Sequence, residues 1–309
     1  MQQSIIVTMT ESRSSVINTL MMISSIRKFA GSLADNTIWV LAPRRSWDFS
    51  DGDIAKFMDL KARIIPFDIE NELLEFPFGN KVQAAAFAEE LAAEQTNLLI
   101  WLDCDTLVLN DLQDFSLPPN KVLGYRPVHH KLIGVLWDDI MDPFWTQVYQ
   151  ECGTPLSKDF AMMTHIGEKI RPYFNAGTFV IRPEKKLLSQ WQQVFQKCFR
   201  LPKFQEFYEK DDRYATFMHQ AIFSGILLNA LNQAELLELN HKINYPLHLH
   251  QSIPLNLRPK TINELITVRH ENIIGNPVWR KGLPILEPLL SWLNSQLNFQ
   301  DLLDGNKIT

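Results

Sequence analysis

Two spacings of apolar residues alternate along the first hundred positions. Residues 5–9, 37–41, 62–67 and 98–102 are short runs, apolar throughout or nearly so, and predict strands. The stretch 11–31 instead carries Val16, Leu20, Ile23 and Ile26 at helical spacing and stops at Gly31. Residues 53–59 predict a short helix, and the alanine-rich 80–94 a longer one. Strands that are apolar along their whole length, alternating with helices, predict a parallel sheet covered on both faces. In such sheets ligands bind in the crevice beyond the carboxyl ends of the strands. The second half is less regular: 122–125, 177–181 and 236–239 predict strands, and 138–151, 184–199, 214–231 and 284–303 predict helices. No internal repeat, low-complexity tract or long Gly/Ser linker divides the chain. The expectation is one α/β domain over residues 1–283, followed by a C-terminal helix and tail over 284–309.

Composition changes this picture little. Of 309 residues, 46% are hydrophobic and 21% charged, which is ordinary for a globular domain. The net charge of −5 and the lack of any Lys/Arg-rich block argue against a nucleic-acid partner. Cys104, Cys152 and Cys198 are widely spaced and odd in number, so reduced thiols are expected rather than a disulfide framework. The chain begins without positive charge, its first apolar run is only Ile5-Ile6-Val7, and no stretch approaches the roughly 20 apolar residues of a membrane span. A cytoplasmic protein without an integral membrane segment is expected, and a homo-oligomer is compatible with the sequence.

Chemistry enters at Asp103-Cys104-Asp105, directly after the apolar run 98–102. Side chains two apart in extended chain point the same way. Both carboxylates can thus approach one hard divalent ion such as manganese or magnesium, which keeps open positions for water and phosphate oxygens. An isolated Asp-x-Asp is often only a solvated turn or a helix cap; the apolar strand before it places this pair at the ligand-binding end of the sheet. Haloacid-dehalogenase-type phosphatases carry a similar Asp-x-Asp-x-Thr, but here Thr106 comes one position too early and three strands precede the motif.

Several segments, taken in order, resemble the GT-A fold, and particularly glycosyltransferase family 8, the glycogenin and galactinol synthase group. Asn80-Lys81 opens a helix that leads into the strand and Asp103-Cys104-Asp105-Thr106. Tyr173-Phe174-Asn175-Ala176-Gly177 is similar to the family's Phe-Asn-(Ala/Ser)-Gly strand, and His219-Gln220 to an Asp-Gln pair heading a helix. Asn244-Tyr245 resembles a late Tyr-Asn segment. His270, Gly275, Pro277 and Trp279 resemble a closing His-x-x-Gly-x-x-Lys-Pro-Trp. The similarity covers most of residues 4–280. His219 replaces the aspartate, the closing motif has different spacing, and Asn276 stands where its lysine is expected, which leaves Arg280 or Lys281 as a substitute cation.

The resemblance implies a mixed α/β sheet flanked by helices and a metal-dependent transfer of sugar from a nucleotide-diphosphate sugar. The donor is expected to be a uridine one, the acceptor a sugar, lipid or protein, and the outcome retaining. It implies Asp103, Asp105 and His270 as ligands of Mn2+ (or Mg2+), and Lys81 as a cation by the donor. Asn175 and Gly177 would lie on the sugar and acceptor side, and Gln220 would bond a sugar hydroxyl. Thr8, at the end of the first strand, would contact the base. Each has a plainer reading: a helix-turn lysine, a turn Asn and Gly, a helix glutamine, a strand-end threonine, a core histidine. His129-His130 is read as loop, because adjacent side chains diverge. Two other functions compete: a non-catalytic relative that binds nucleotide sugars or glycans, and a sugar-1-phosphate nucleotidyltransferase. The second usually needs a glycine-rich phosphate loop, whereas residues 10–15 contain no glycine.

Overall fold

The computed structural model describes residues 4–46, 49–157, 160–271, 273–276 and 280–303, with the side chains of 298–303 excepted. Its frame is a seven-stranded sheet. In chain order the strands are β1 (Ser4–Met9), β2 (Thr37–Pro43), β3 (Ala62–Phe67), β4 (Leu98–Leu102) and, after the short β5 (Thr106–Val108), β6 (Leu123–Pro127). A two-stranded hairpin, β7 (Met162–Met163) and β8 (Lys169–Ile170), precedes β9 (Phe174–Ile181) and β10 (Leu236–Glu238). Across the sheet the order is β10-β6-β9-β4-β1-β2-β3. β1 runs parallel to β2 and β4, and β2 parallel to β3, as the apolar runs predict. β9 enters antiparallel between β4 and β6 and makes the sheet mixed.

Alternation along these strands divides the core in two. Ile5, Val7, Leu99 and Trp101 pack on one face with α4 (Gly79–Ala92), α6 (Leu187–Cys198) and α8 (Asp212–Ala230). Ile6, Ile100 and Leu102 pack on the other with α1 (Arg13–Phe29) and α2 (Asp51–Asp59). Helix α1 starts where Ser12 and Ser15 cap each other's backbone N–H groups, and it ends with Arg27 and Lys28 in the last turn, where cations suit the helix dipole. Helix α4 needs its alanines: Ala84, Ala85 and Ala88 are fully buried and let the helix lie close to the sheet. It follows α3 (Asn71–Glu75), and a Cβ on Gly79 would stand 2.0 Å from the Leu73 carbonyl oxygen. That tight junction fixes the first turn of α4, which carries Lys81. Helices α5 (Pro143–Cys152) and α7 (Pro202–Lys210) pack beside α8.

A second, three-stranded sheet closes the carboxyl side. β11 (Tyr245–Pro246) lies parallel to β12 (Thr267–Arg269), which runs antiparallel to β5 with Arg269 opposite Thr106. Helix α9 (Leu289–Leu303) packs Leu289 and Leu293 against Met21, Leu107 and Val268, and Trp292 meets Phe29 edge-on at 5.2 Å. Among the described residues no helix is long and apolar enough to cross a membrane.

Candidate active site at the end of strand β4

Where β4 ends, Asp103 bonds through its backbone N–H to the Gly177 carbonyl at 2.8 Å, because β4 and β9 pair as far as Leu102 and Thr178. Its carboxylate gathers cations. Lys81 Nζ lies 2.7 Å from Oδ1 and 2.8 Å from Oδ2. Trp101 Nε1, two residues back on the same face, donates to Oδ1 at 2.9 Å. Arg269 Nη1 donates to Oδ2 at 3.0 Å, while its Nε lies 3.3 Å from both Asp105 Oδ2 and Glu271 Oε1. Burial alone would raise the Asp103 carboxyl; Lys81 and Arg269 outweigh it and hold the group down at about 2. Burial likewise lowers Lys81, with Asp103 opposing, whereas the carboxylates around Arg269 overcome burial and raise it. Gly177 is required by this packing: a Cβ there would lie 2.5 Å from Arg269 Nη1 and 2.6 Å from Asp103 Oδ2.

Two side-chain amides sit beside the ion cluster in a fixed sense. Asn175 Oδ1 accepts from the Gly177 N–H at 2.7 Å, and Gln220 Oε1 accepts from the Ala176 N–H at 3.0 Å. With both oxygens bonded to backbone, each NH2 is the donor end, and that of Gln220 lies toward the Tyr173 hydroxyl. Ser224 ties α8 to β9 by accepting from the Phe174 N–H at 3.0 Å. His219 bonds the Thr216 carbonyl through Nδ1 at 3.0 Å and stacks on Phe78 at 4.3 Å. Burial, then the Lys81 charge, keeps it neutral.

Lys81, Asp103, Asn175, Gly177 and Gln220, each singled out from sequence, line one cavity of about 190 Å3 together with Arg269. Asp105 holds Arg269 from behind. Thr8 is fully buried in β1 and does not line the cavity. His270 is also fully buried; its N–H donates to the Asp105 carbonyl at 3.0 Å, and burial lowers its imidazole to about 4. Asp103, Asp105 and His270 do not converge as a three-ligand cluster. The residue beside both carboxylates is Arg269, one position earlier on β12. The substitute cations expected near the C-terminus lie elsewhere: Arg280 Nη1 bonds Asn294 Oδ1 at 3.1 Å, and Lys281 lines a separate cavity with His250 and Gln251. Pro277 and Trp279 lie outside the described residues.

Other lining residues come from segments that local sequence patterns do not mark. His129 and His130, read as loop, both line the cavity, as do His248, Arg269 and Glu271. His129 is 6% exposed, and its Nε2 has no hydrogen-bond partner. Ligand atoms of His129, His248 and Glu271 lie within 4.8 Å of one another. The signal that could have marked Arg269 is an arginine directly after the largely apolar run 265–268, where a charge needs a partner.

A mixed, mostly parallel sheet flanked by helices is the GT-A fold, and solved glycosyltransferases share that fold. The galactosyltransferase LgtC, solved with donor and acceptor sugar analogs, superposes with a TM-score of 0.51 at 13% identity over 96% of this chain and 95% of that one. The bifunctional glycosyltransferase WbbM gives 0.51 at 12% identity over 96% of this chain and 52% of its own. The chain itself belongs to the Rhodobacterales glycosyltransferase domain family, whose model matches residues 6–214, and is a glycosyltransferase enzyme. No curated protein matches the sequence.

Proposed function

We propose that this enzyme is a family 8 glycosyltransferase that moves a sugar from a uridine-diphosphate sugar to a hydroxyl of a sugar, lipid or protein acceptor, with retention at the anomeric carbon. The observation that carries this reading is the pairing of Lys81 and Arg269 at the end of β4, with the amide donors of Asn175 and Gln220 beside them. Transfer breaks the bond from the anomeric carbon to the β-phosphate oxygen and forms one to the acceptor oxygen, whose proton passes to the leaving diphosphate. Negative charge builds on that diphosphate, and preorganised cations in a site screened from water stabilise it most. The Asn175 and Gln220 amides orient sugar hydroxyls. A cavity of about 190 Å3 is below the roughly 300–1,000 Å3 of whole small-ligand sites, so it takes the sugar and phosphate end of the donor.

Charge counting supports a metal requirement. Asp103, Asp105 and Glu271 set three carboxylates against the two cations Lys81 and Arg269. A diphosphate entering a pocket with that deficit is repelled, and a divalent ion such as manganese would neutralise it. A panel of nucleotide sugars, assayed with and without manganese for nucleotide release and product anomer, tests the proposal. Turnover with a uridine donor is expected; neither binding nor hydrolysis of any donor across the panel would sink it.

A further inference from the structure

We propose that His129, His248 and Glu271 form the binding site for one first-row divalent transition-metal ion, beside Arg269 rather than on the Asp103–Asp105 pair. The inference deepens the metal requirement above, but ion binding at these residues can be measured without a donor sugar.

The donor set is two imidazoles and one carboxylate. That mixture suits ions from manganese to zinc, whereas magnesium prefers oxygen ligands alone. The ligand atoms already lie within 4.8 Å of one another. Metal–ligand bonds of about 2.1 Å place neighbouring ligand atoms about 3.0–3.5 Å apart, so small side-chain rotations suffice to close the site. His248 Nδ1 and Glu271 Oε2 are at 3.5 Å already.

An independent observation points to a ligand. His129 is buried, yet its Nε2 has no hydrogen-bond partner. Buried ring nitrogens are nearly always answered by protein or water, so an unanswered one facing a cavity marks a place for something that binds it. Glu271 uses Oε1 on Arg269 at 3.3 Å and turns Oε2 toward His248. At the acidic pair, Lys81 and Arg269 bond both oxygens of Asp103, and Arg269 Nε lies 3.3 Å from Asp105 Oδ2. All three proposed ligands line the cavity that holds Asp103 and Gly177. An ion there reaches the same phosphates as Lys81 and Arg269, and two cation positions flank the donor instead of one.

The test is a titration of chelator-stripped protein with Co2+, read by its visible spectrum, and with Mn2+, read by calorimetry. One equivalent of either ion is expected to bind, with no competition from excess Mg2+. His129→Ala, His248→Ala and Glu271→Gln are each expected to weaken binding at least about 10-fold, within the range seen when a metal shell is disturbed. Asp105→Asn and His270→Gln should change it less than about 2-fold on the same scale. Paramagnetically shifted imidazole resonances from two histidines of the unmutated Co2+ protein give the same answer without relying on a variant's fold. Absence of binding overturns the proposal, as does binding lost in Asp105→Asn but kept in His129→Ala. Either failure leaves the transfer assay with uridine donors to stand or fall by itself.

Discussion

On the sheet side of the pocket, Asp103 receives Lys81, Trp101 and Arg269, and the amide oxygens of Asn175 and Gln220 are bonded to backbone N–H groups. Among the other residues lining the cavity, His129 is as deeply buried, yet its Nε2 has no hydrogen-bond partner. In the first group, Lys81 and Arg269 stabilise the Asp103 charge and hold it in one geometry. In the second, the proposed metal ion would answer the His129 Nε2. Groups answered within the fold contribute to stability; a group left unanswered in a buried position costs stability, which is tolerated where it serves binding.

That contrast can be broken most directly at Lys81. Lys81→Met keeps the length of a side chain that is 6% exposed but removes the charge against Asp103. Breaking a buried ion pair from one side leaves the Asp103 charge to Arg269 and Trp101 alone, so a loss of about 3 kcal/mol in urea unfolding is expected, with transfer slowed about 10²–10³-fold. Wild-type stability would mean that the pair is effectively solvated.

Acid unfolding gives a second, smaller effect. The Asp103 carboxyl is held at about 2, against 3.8 when free. A depressed carboxyl contributes stability that is complete above its unfolded value and disappears as pH falls through the folded one. About 2 kcal/mol should therefore vanish between pH 4 and pH 2. The slope of unfolding free energy against pH should flatten over that window in Asp103→Asn. An unchanged slope would show that Lys81 and Arg269 do not govern this group.

The smallest effect sharpens the comparison from the other group. His129→Leu replaces an imidazole whose Nε2 has no partner by an apolar side chain of similar bulk. Metal-free stability should stay within about 1 kcal/mol of the parent or rise slightly. A loss comparable to that of Lys81→Met would mean that the imidazole is held by the fold after all.

Elements with many residues of one period were legible from sequence. β1 to β4, α1, α2 and α4 lie within a few residues of their expected places, and α8 shifts from 214–231 to Asp212–Ala230. Errors of start follow from proline chemistry. The helix expected from 138 begins at Pro143, with Asp142 capping the Phe144 N–H, because proline suits the first helical position and no interior one. The last helix likewise begins at Leu289, after Pro284 and Pro288. β5, β7, β8, β11 and β12 escaped notice because two- or three-residue strands show no periodicity.

The sequence by itself determined the layered frame, the apolar β4 and the acidic pair at its end, since each depends on neighbours a few residues apart. Through family resemblance it also indicated Lys81, Asn175, Gly177 and Gln220, which the fold gathers into one cavity. Only tertiary structure decided which charges meet. Arg269 reaches Asp103 across 166 residues of sequence because β12 pairs with β5 in the register that sets Arg269 opposite Thr106; strand alternation then gives this place to arginine and not to His270. His129, His248 and Glu271 come together in the same way from three separate segments. Electrostatic partnership falls off with distance in space, and no local pattern encodes that distance.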